Sequence, residues 1–102
     1  MKIIQQPTAG ESHVAILSKL VCEDFPNLPA YEPERIAMQM HRDGTVWHDR
    51  SLPIEEQVRR AVTAWCRHRY TDYDKLIASG VSKVEARQRT QARLVKTLAS
   101  WK

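Results

Sequence analysis

The apolar residues between Pro53 and Tyr70 recur at helical spacing, and this stripe constrains the fold more than any other stretch. They are Ile54, Val58, Ala61, Val62, Trp65 and Cys66. Positions three and four apart lie on one side of an α-helix, so the stripe predicts a central helix over residues 54–70 with its apolar side in the core. Thr71 and Asp74 then form a capping-box pattern that opens a new helix.

Two predicted helices precede the central one. The first follows a capping box at Thr8–Glu11 and ends before Pro26, which removes a backbone donor. The second begins at Pro33, because the fixed φ of proline suits a first helical position, and it ends at Asp43. Residues 38–48, around an Asp-Gly pair, also fit a β-hairpin, and this alternative stays open.

Two predicted helices follow the central one. A short helix over Asp72–Ser79 ends at Gly80, which is the expected left-handed terminator. Ser82 and Glu85 form a further capping box, which begins a long final helix. The inward side of that helix is predicted to hold apolar residues, namely Val84, Leu94, Val95, Leu98 and Trp101.

These elements predict a single all-α domain over residues 1–102, a compact bundle of about five helices. Residues 1–7 are expected to form an extended arm, a short edge strand or a disordered tail. Phe25, Leu28 and Tyr31 are expected to pack under the core. No apolar run approaches the roughly 20 residues of a membrane span. Two cysteines are too few for a disulfide framework, so we expect a cytoplasmic protein with reduced thiols.

Five short motifs stand in order along the chain. They are F-P-x-L-P at Phe25–Pro29, I-A-x-x-x-H at Ile36–His41, A-V-x-A-x-x-R-H-R-Y-T-D-Y-D at Ala61–Asp74, S-x-x-E-A-R at Ser82–Arg87 and L-x-x-W at Leu98–Trp101. Over about residues 24–102, this order resembles an uncharacterised family of small domains of unknown function from bacterial and fungal proteins. The resemblance implies a compact helical fold and no known activity.

The charges are divided unevenly between the two halves of the chain. Residues 1–52 hold 5 Lys or Arg against 7 Asp or Glu, a net charge of −2. Residues 53–102 hold 11 against 5, a net charge of +6, and the sum is the overall +4. Since a basic half favours a polyanionic partner, we expect a non-enzymatic module that binds DNA or RNA through a basic C-terminal surface.

The residues predicted to bind nucleic acid lie on the central and final helices. They are Arg60, Arg67, Lys83, Gln88, Arg89, Arg93 and Lys96. Cations spaced by three, four or seven residues share one side of a helix and can meet phosphates together. Residues 76–87 also resemble a helix-turn-helix, which would bring Lys83 and Gln88 to the major groove. The alternative is a solvated basic face on a helical hairpin.

The R-H-R-Y-T-D-Y-D stretch is predicted to have a structural role, as caps and core-edge side chains. Its signature residues, with one from the final helix, are His68, Tyr70, Thr71, Tyr73, Asp74 and Arg87. Arg87 interrupts the apolar side of the final helix, so we expect it to be buried. A buried cation needs an acid, and Asp72 or Asp74 is the expected partner.

Two other functions remain open. A protein-interaction or oligomerisation module, with a protein partner or a second copy, would use exposed Trp47, exposed Tyr31 and the acidic N-terminal half. A small enzyme or nuclease around His68 ranks third, because no nucleophile elbow or phosphate-binding glycine loop accompanies it. We expect no cofactor and no metal, since Cys66 and His68 point in different directions from a helix and no zinc-site spacing occurs.

Overall fold

The described residues, 9–43 and 52–102, form five α-helices in a computed structural model of the chain. The helices are α1 (Ala9–Asp24), α2 (Glu32–Asp43), α3 (Ile54–Tyr70), α4 (Tyr73–Ala78) and α5 (Lys83–Trp101). The all-α prediction is confirmed, and the central helix lies over residues 54–70 as predicted. Within the described part of the chain, no helix combines the length and the apolar character needed to cross a membrane.

Helix α3 is the centre of the bundle, and it contacts each of the other four described helices. Its predicted inward side is confirmed, with Val58, Val62, Trp65 and Cys66 all buried. Burying a side chain such as valine stabilises the fold by about 1.5–3 kcal/mol. Burial also raises the pKa of the Cys66 thiol to about 11, against the opposing charge of Arg67. Cys66 therefore packs as a small apolar thiol.

Helices α1, α2 and α5, with the loop between α1 and α2, supply the rest of the core around α3. Its buried apolar residues outside α3 are Leu17, Val21, Phe25, Leu28, Ile36, Ala37, Met40, Leu94 and Trp101. The loop after α1 is tied to the end of α5, because Asn27 N–H donates to the carbonyl of Trp101 at 2.9 Å. This bond joins the F-P-x-L-P motif to the final L-x-x-W motif.

Two predictions about the segment between α1 and α3 need correction. Phe25 and Leu28 are buried as expected, but Tyr31 is 62% exposed and does not pack under the core. The next residue, Glu32, is buried instead, and its carboxylate accepts hydrogen bonds from buried donors. The β-hairpin alternative is wrong for residues 38–43, which belong to helix α2. The remainder of that segment lies outside the described residues, and so do the predicted cap at Thr8 and the predicted exposed side chain of Trp47.

Helix α5 is rotated relative to the prediction. Its buried residues are Ala86, Thr90, Leu94 and Trp101. Val84 and Val95, predicted to face inward, are 68% and 54% exposed. Small side chains at positions 86 and 90 allow close packing, and the Thr90 hydroxyl is satisfied by donating to the Ala86 carbonyl at 2.8 Å. The threonine therefore enters the interior without an unpaired hydroxyl.

The predicted turn between α4 and α5 is confirmed. Gly80 has a φ of +98°, a left-handed conformation that side chains disfavour. Ser82 caps α5, because its side chain accepts the Glu85 backbone N–H at 3.2 Å. The Glu85 carboxylate does not complete the box by reaching back. It accepts instead from Arg89, at 2.7 Å.

Candidate functional site

A basic cleft of about 560 Å³ lies where the end of α3, the following turn with α4, and α5 meet. We call it the α3–α5 cleft. It is lined by His68, Arg69, Tyr70, Thr71, Asp72, Asp74, Lys75, Arg89, Thr90 and Arg93. The signature stretch thus forms one wall, and the middle of α5 forms the other. A second cleft of about 350 Å³ lies between α2 and α3, and His68 and Arg69 line both.

Four permanent cations line the α3–α5 cleft, and they come from three different elements. Arg69 lies at the end of α3, Lys75 lies on α4, and Arg89 and Arg93 are one turn apart on α5. Asp72 and Asp74 are the two carboxylates of the lining, which leaves a net charge of +2. The cleft therefore attracts anions.

Arg69 is held in place by an aromatic ring. Its guanidinium lies 4.0 Å from the centroid of the Trp65 ring, and the Arg35 guanidinium lies 5.8 Å from the same ring. A cation over an indole face is favourable, and the stacking limits the rotamers that arginine samples. The Arg69 side chain is thus partly pre-organised at the edge of the cleft.

Glu32 fixes the residues that carry this wall of the cleft. Glu32 is 1% exposed, and its carboxylate accepts from Trp65 Nε1 at 2.5 Å and from the Tyr70 hydroxyl at 3.0 Å. Arg35 donates to its other oxygen at 3.3 Å. Three donors satisfy a buried charge that would otherwise be strongly destabilising. One residue at the start of α2 therefore orients both Trp65 and Tyr70.

The environment of Tyr70 favours its neutral form. Burial raises the pKa of Tyr70 to about 12, and the hydrogen bond to Glu32, the Glu32 charge and nearby Tyr31 act in the same direction. The Tyr70 hydroxyl therefore stays a donor to Glu32. The Tyr70 ring packs edge-on against Trp101, with 4.9 Å between the centroids.

His68 and Asp74 form a pair across the turn between α3 and α4. His68 Nδ1 lies 2.6 Å from Asp74 Oδ1, and the two side chains are 53% and 59% exposed. The His68 ring also meets the buried ring of Tyr73 edge-on, with 5.4 Å between the centroids. These contacts place His68 against two residues of α4. Asp74, predicted to be part of a capping box, binds the histidine instead.

The prediction that Thr71 is the N-cap of α4 is wrong, because Asp72 holds that position without a side-chain cap bond and Thr71 is the C-cap of α3. Its hydroxyl accepts the Tyr73 backbone N–H at 3.2 Å and donates to the Arg67 carbonyl at 2.5 Å. Helix α4 begins at Tyr73, one residue later than expected. The Thr71 hydroxyl therefore forms hydrogen bonds with the last turn of α3 and with the first residue of α4.

The prediction that Arg87 is buried and paired with Asp72 or Asp74 is wrong. Arg87 is exposed, and among residues 9–43 and 52–102 it makes no ion pair with Asp72 or Asp74. The reason is the rotation of α5, which turns Ala86 and Thr90 inward and directs Arg87 to solvent.

Of the residues predicted to bind nucleic acid, Arg89 and Arg93 line the cleft together. Arg60 pairs with Glu56 at 3.3 Å on the exposed side of α3, and Arg67 lies 5.9 Å from the Tyr73 ring centroid. The others, Lys83, Gln88 and Lys96, are on α5 and lie outside the cleft lining.

A second histidine pair lies away from the cleft, between α1 and α2. Nδ1 of buried His13 is 2.8 Å from Nδ1 of His41. Burial, and then the neighbouring His41, lower the pKa of His13. Within the described ranges, no group of three or more His, Cys, Asp or Glu side chains is placed to hold a metal ion.

Comparison with known families adds one match. The family described as "Uncharacterized conserved protein (DUF2293)" matches residues 20–102. The chain belongs to this family. The match covers the five motifs and confirms the resemblance to a small helical domain of unknown function. The α3–α5 cleft and the Glu32 cluster both lie within the region that DUF2293 covers. No curated protein and no solved structure matches the chain.

Sequence reasoning misses three residues of this site, namely Glu32, Arg69 and Lys75. In the sequence, Glu32 stands out only as an acid in the first turn of a helix, yet a signal for its role exists. Buried tryptophan and tyrosine side chains need acceptors for their N–H and O–H groups. An acid beside Pro33, close to the core, is an available acceptor. Arg69 and Lys75 have no comparable signal, because their position depends on how three helices meet.

Proposed function

We propose that the chain is a nucleic-acid-binding module that holds a phosphate backbone in the α3–α5 cleft. The observation that carries this proposal is the convergence of Arg69, Lys75, Arg89 and Arg93 on one concave surface. Cations from separate helices that face one cleft provide several phosphate contacts at once. Such contacts supply most of the affinity of nucleic-acid binding that does not depend on sequence.

The chemistry of the lining supports a phosphate ligand. Three of the four cations are arginines, whose planar fork matches two oxygens of one phosphate. Stacking on Trp65 restrains Arg69 before a ligand arrives, which lowers the entropy lost on binding. Arg89 shares its charge with Glu85, at 2.7 Å, and both side chains are more than half exposed. A phosphate can therefore replace the Glu85 carboxylate as the partner of Arg89 with only a small loss of free energy.

The polar groups of the cleft fit a nucleotide as well as a bare anion. The carboxylates of Asp72 and Asp74 accept hydrogen bonds, so they can receive base N–H groups or a ribose hydroxyl. A concave site with cations on two walls and acceptors between them is suited to a flexible strand. We therefore favour single-stranded nucleic acid, whose backbone can follow the cleft.

The remaining basic residues extend this proposal along the surface. Lys83 and Gln88 lie at the start of α5, beyond the Gly80 turn, where a helix-turn-helix module would contact bases. Substituting them is expected to change sequence preference and leave general affinity intact. Arg60, Arg67 and Lys96 stay predicted contacts outside the cleft.

The test compares two charge-matched double variants. Arg89→Ala/Arg93→Ala removes two cations from the cleft. Arg42→Ala/Arg87→Ala removes two exposed cations that do not line it. We expect the first to weaken binding of labelled single-stranded RNA, single-stranded DNA and duplex DNA alike. The second is expected to bind nearly as wild type does. Equal losses for the two variants would assign binding to overall charge and overturn the role of the cleft.

A protein-interaction module is a second candidate, favoured by exposed apolar side chains. Val84 and Val95 are 68% and 54% exposed, and their separation of about three helical turns places them on the same side of α5. Tyr31, directly before α2, is 62% exposed. Sedimentation analysis of wild type and Val84→Lys/Val95→Lys tests this candidate. Self-association of wild type that is absent in the double variant would support it.

A further inference from the structure

The His68–Asp74 pair gives the α3–α5 cleft a proton acceptor. An ionised carboxylate only accepts hydrogen bonds, so the 2.6 Å contact requires Nδ1 of His68 to carry the proton. In the neutral ring, Nε2 is then the basic nitrogen. This arrangement, a carboxylate that fixes the tautomer of a histidine, is a recurring feature of general-base sites.

The ring of Tyr73 packs against His68, and both side chains of the pair remain accessible from the cleft. Asp74 lies on α4, and the buried ring of Tyr73 meets the imidazole edge-on at 5.4 Å. Two neighbouring residues of α4 thus fix the direction of the His68 ring. His68 is 53% exposed, so a molecule in the cleft can reach it. Both members of the pair line the same cleft as Arg69, Lys75 and Arg93.

We infer that the cleft cleaves single-stranded RNA, with His68 as the general base. This inference rests on the proposed binding of nucleic acid. RNA carries its own nucleophile, the 2′-hydroxyl next to the phosphorus that it attacks. The protein therefore needs to supply a base near that hydroxyl and cations near the phosphate oxygens. The cleft holds both.

The reaction is an internal transesterification. Nε2 of His68 takes the proton of the 2′-hydroxyl while the 2′-oxygen forms a bond to phosphorus. The bond between phosphorus and the 5′-oxygen breaks, and its electron pair leaves with that oxygen, which takes a proton from water. The hydroxide formed removes the proton from His68. The products are a 2′,3′-cyclic phosphate and a 5′-hydroxyl, and no other reactant is consumed.

The other residues have defined roles in this step. Arg69 and Arg93 stabilise the negative charge that develops on the phosphorane oxygens. Asp74 is a positioning residue, because it acts on His68 and not on the RNA. Tyr73 likewise positions the ring by packing.

The experiment follows a labelled RNA and a DNA of the same sequence with wild type and three variants. His68→Asn retains a donor beside Asp74 but lacks the base, and His41→Asn is the matched control on α2. We expect His68→Asn to cut RNA about 100-fold or more slowly while still binding it. His41→Asn is expected to cut at the wild-type rate. Products should carry 2′,3′-cyclic phosphate ends, and the DNA should be bound and not cut.

The third variant tests the positioning role of Asp74. Asp74→Asn is expected to slow cleavage and also to change the pH dependence of the rate, which a role in folding alone would not do. RNA that wild type binds and does not cut would overturn this inference and leave the proposed function standing. Equal cutting by wild type and His68→Asn would also overturn it. Failure to bind any nucleic acid would overturn the proposed function, and this inference with it.

Discussion

Trp65 on α3 donates its indole N–H to the buried carboxylate of Glu32 at the start of α2, at 2.5 Å. The same indole carries the guanidinium of Arg69 on its face, at 4.0 Å from the ring centroid. A buried acid and a cation at the edge of the cleft are therefore linked through one aromatic ring. In this chain, the interior of the bundle orients the surface that we propose to bind phosphate.

The first prediction concerns Glu32. Glu32→Leu should lower the free energy of unfolding by about 2–4 kcal/mol, because each buried donor left unpaired costs about 1–3 kcal/mol. Glu32→Gln should be milder, since its amide oxygen can still accept from Trp65 and Tyr70. Urea unfolding followed by tryptophan fluorescence measures both. The control is Glu34→Leu, an exposed acid on the same helix. A similar loss for the control would contradict the proposed role of Glu32.

The second prediction concerns Tyr70 at high pH. Its pKa is raised from 10.0 to about 12 in the folded chain, so the unfolded chain loses the proton first as pH rises. The stability that the neutral hydroxyl contributes is present below pH 10 and is lost as pH rises through 12. Tyr70→Phe should remove this part of the pH dependence. Urea midpoints across that range test it, and parallel curves for wild type and variant would count against the Glu32–Tyr70 bond.

The third prediction concerns His13 at mildly acidic pH. Burial and His41 lower the pKa of His13 below its ordinary 6.5, so the unfolded chain binds more protons. The contribution to stability is present above pH 6.5 and is lost as pH falls through the lowered value. His41 on α2 faces it, with 2.8 Å between the two Nδ1 atoms. In His13→Gln, the fall in stability at acidic pH should be smaller. An unchanged fall would show that other groups cause it.

The fourth prediction concerns the turn between α3 and α4. Thr71→Val keeps the shape of the side chain but removes the hydroxyl that accepts from Tyr73 N–H. It should destabilise the fold by about 1 kcal/mol, the usual net contribution of one hydrogen bond. Thr71→Ser keeps the hydroxyl and should be close to wild type. A Thr71→Val variant as stable as wild type would contradict the role of the hydroxyl.

The central helix can be predicted from the sequence because its apolar stripe is local and regular. The buried side of helix α5 cannot be predicted in the same way. The apolar residues Val84 and Val95 suggest one side, but α5 packs closely through the small residues Ala86 and Thr90, and these are buried. Arg87 is exposed, against the prediction, for the same reason.

The candidate site is predictable only in part. The signature stretch draws attention to His68, Tyr70 and Asp74 because polar and aromatic groups are dense there. The role of Glu32 is not predictable from local patterns, because the residues that donate to it lie 33 and 38 positions away in sequence. Contacts at that separation depend on the packing of α2 against α3, which periodicity does not specify.

The central claim is that phosphates bind in the α3–α5 cleft, and the most direct measurement is the salt dependence of binding. Single-stranded DNA and 2′-O-methyl RNA both resist the proposed cleavage, so affinity can be measured at equilibrium by anisotropy. For wild type, the logarithm of the association constant should fall linearly with the logarithm of salt concentration. Arg89→Ala/Arg93→Ala should reduce that slope by about two, roughly one for each phosphate that is no longer neutralised. Arg42→Ala/Arg87→Ala should leave the slope unchanged. No binding to either strand at low salt, or the same slope in all three proteins, would contradict the account.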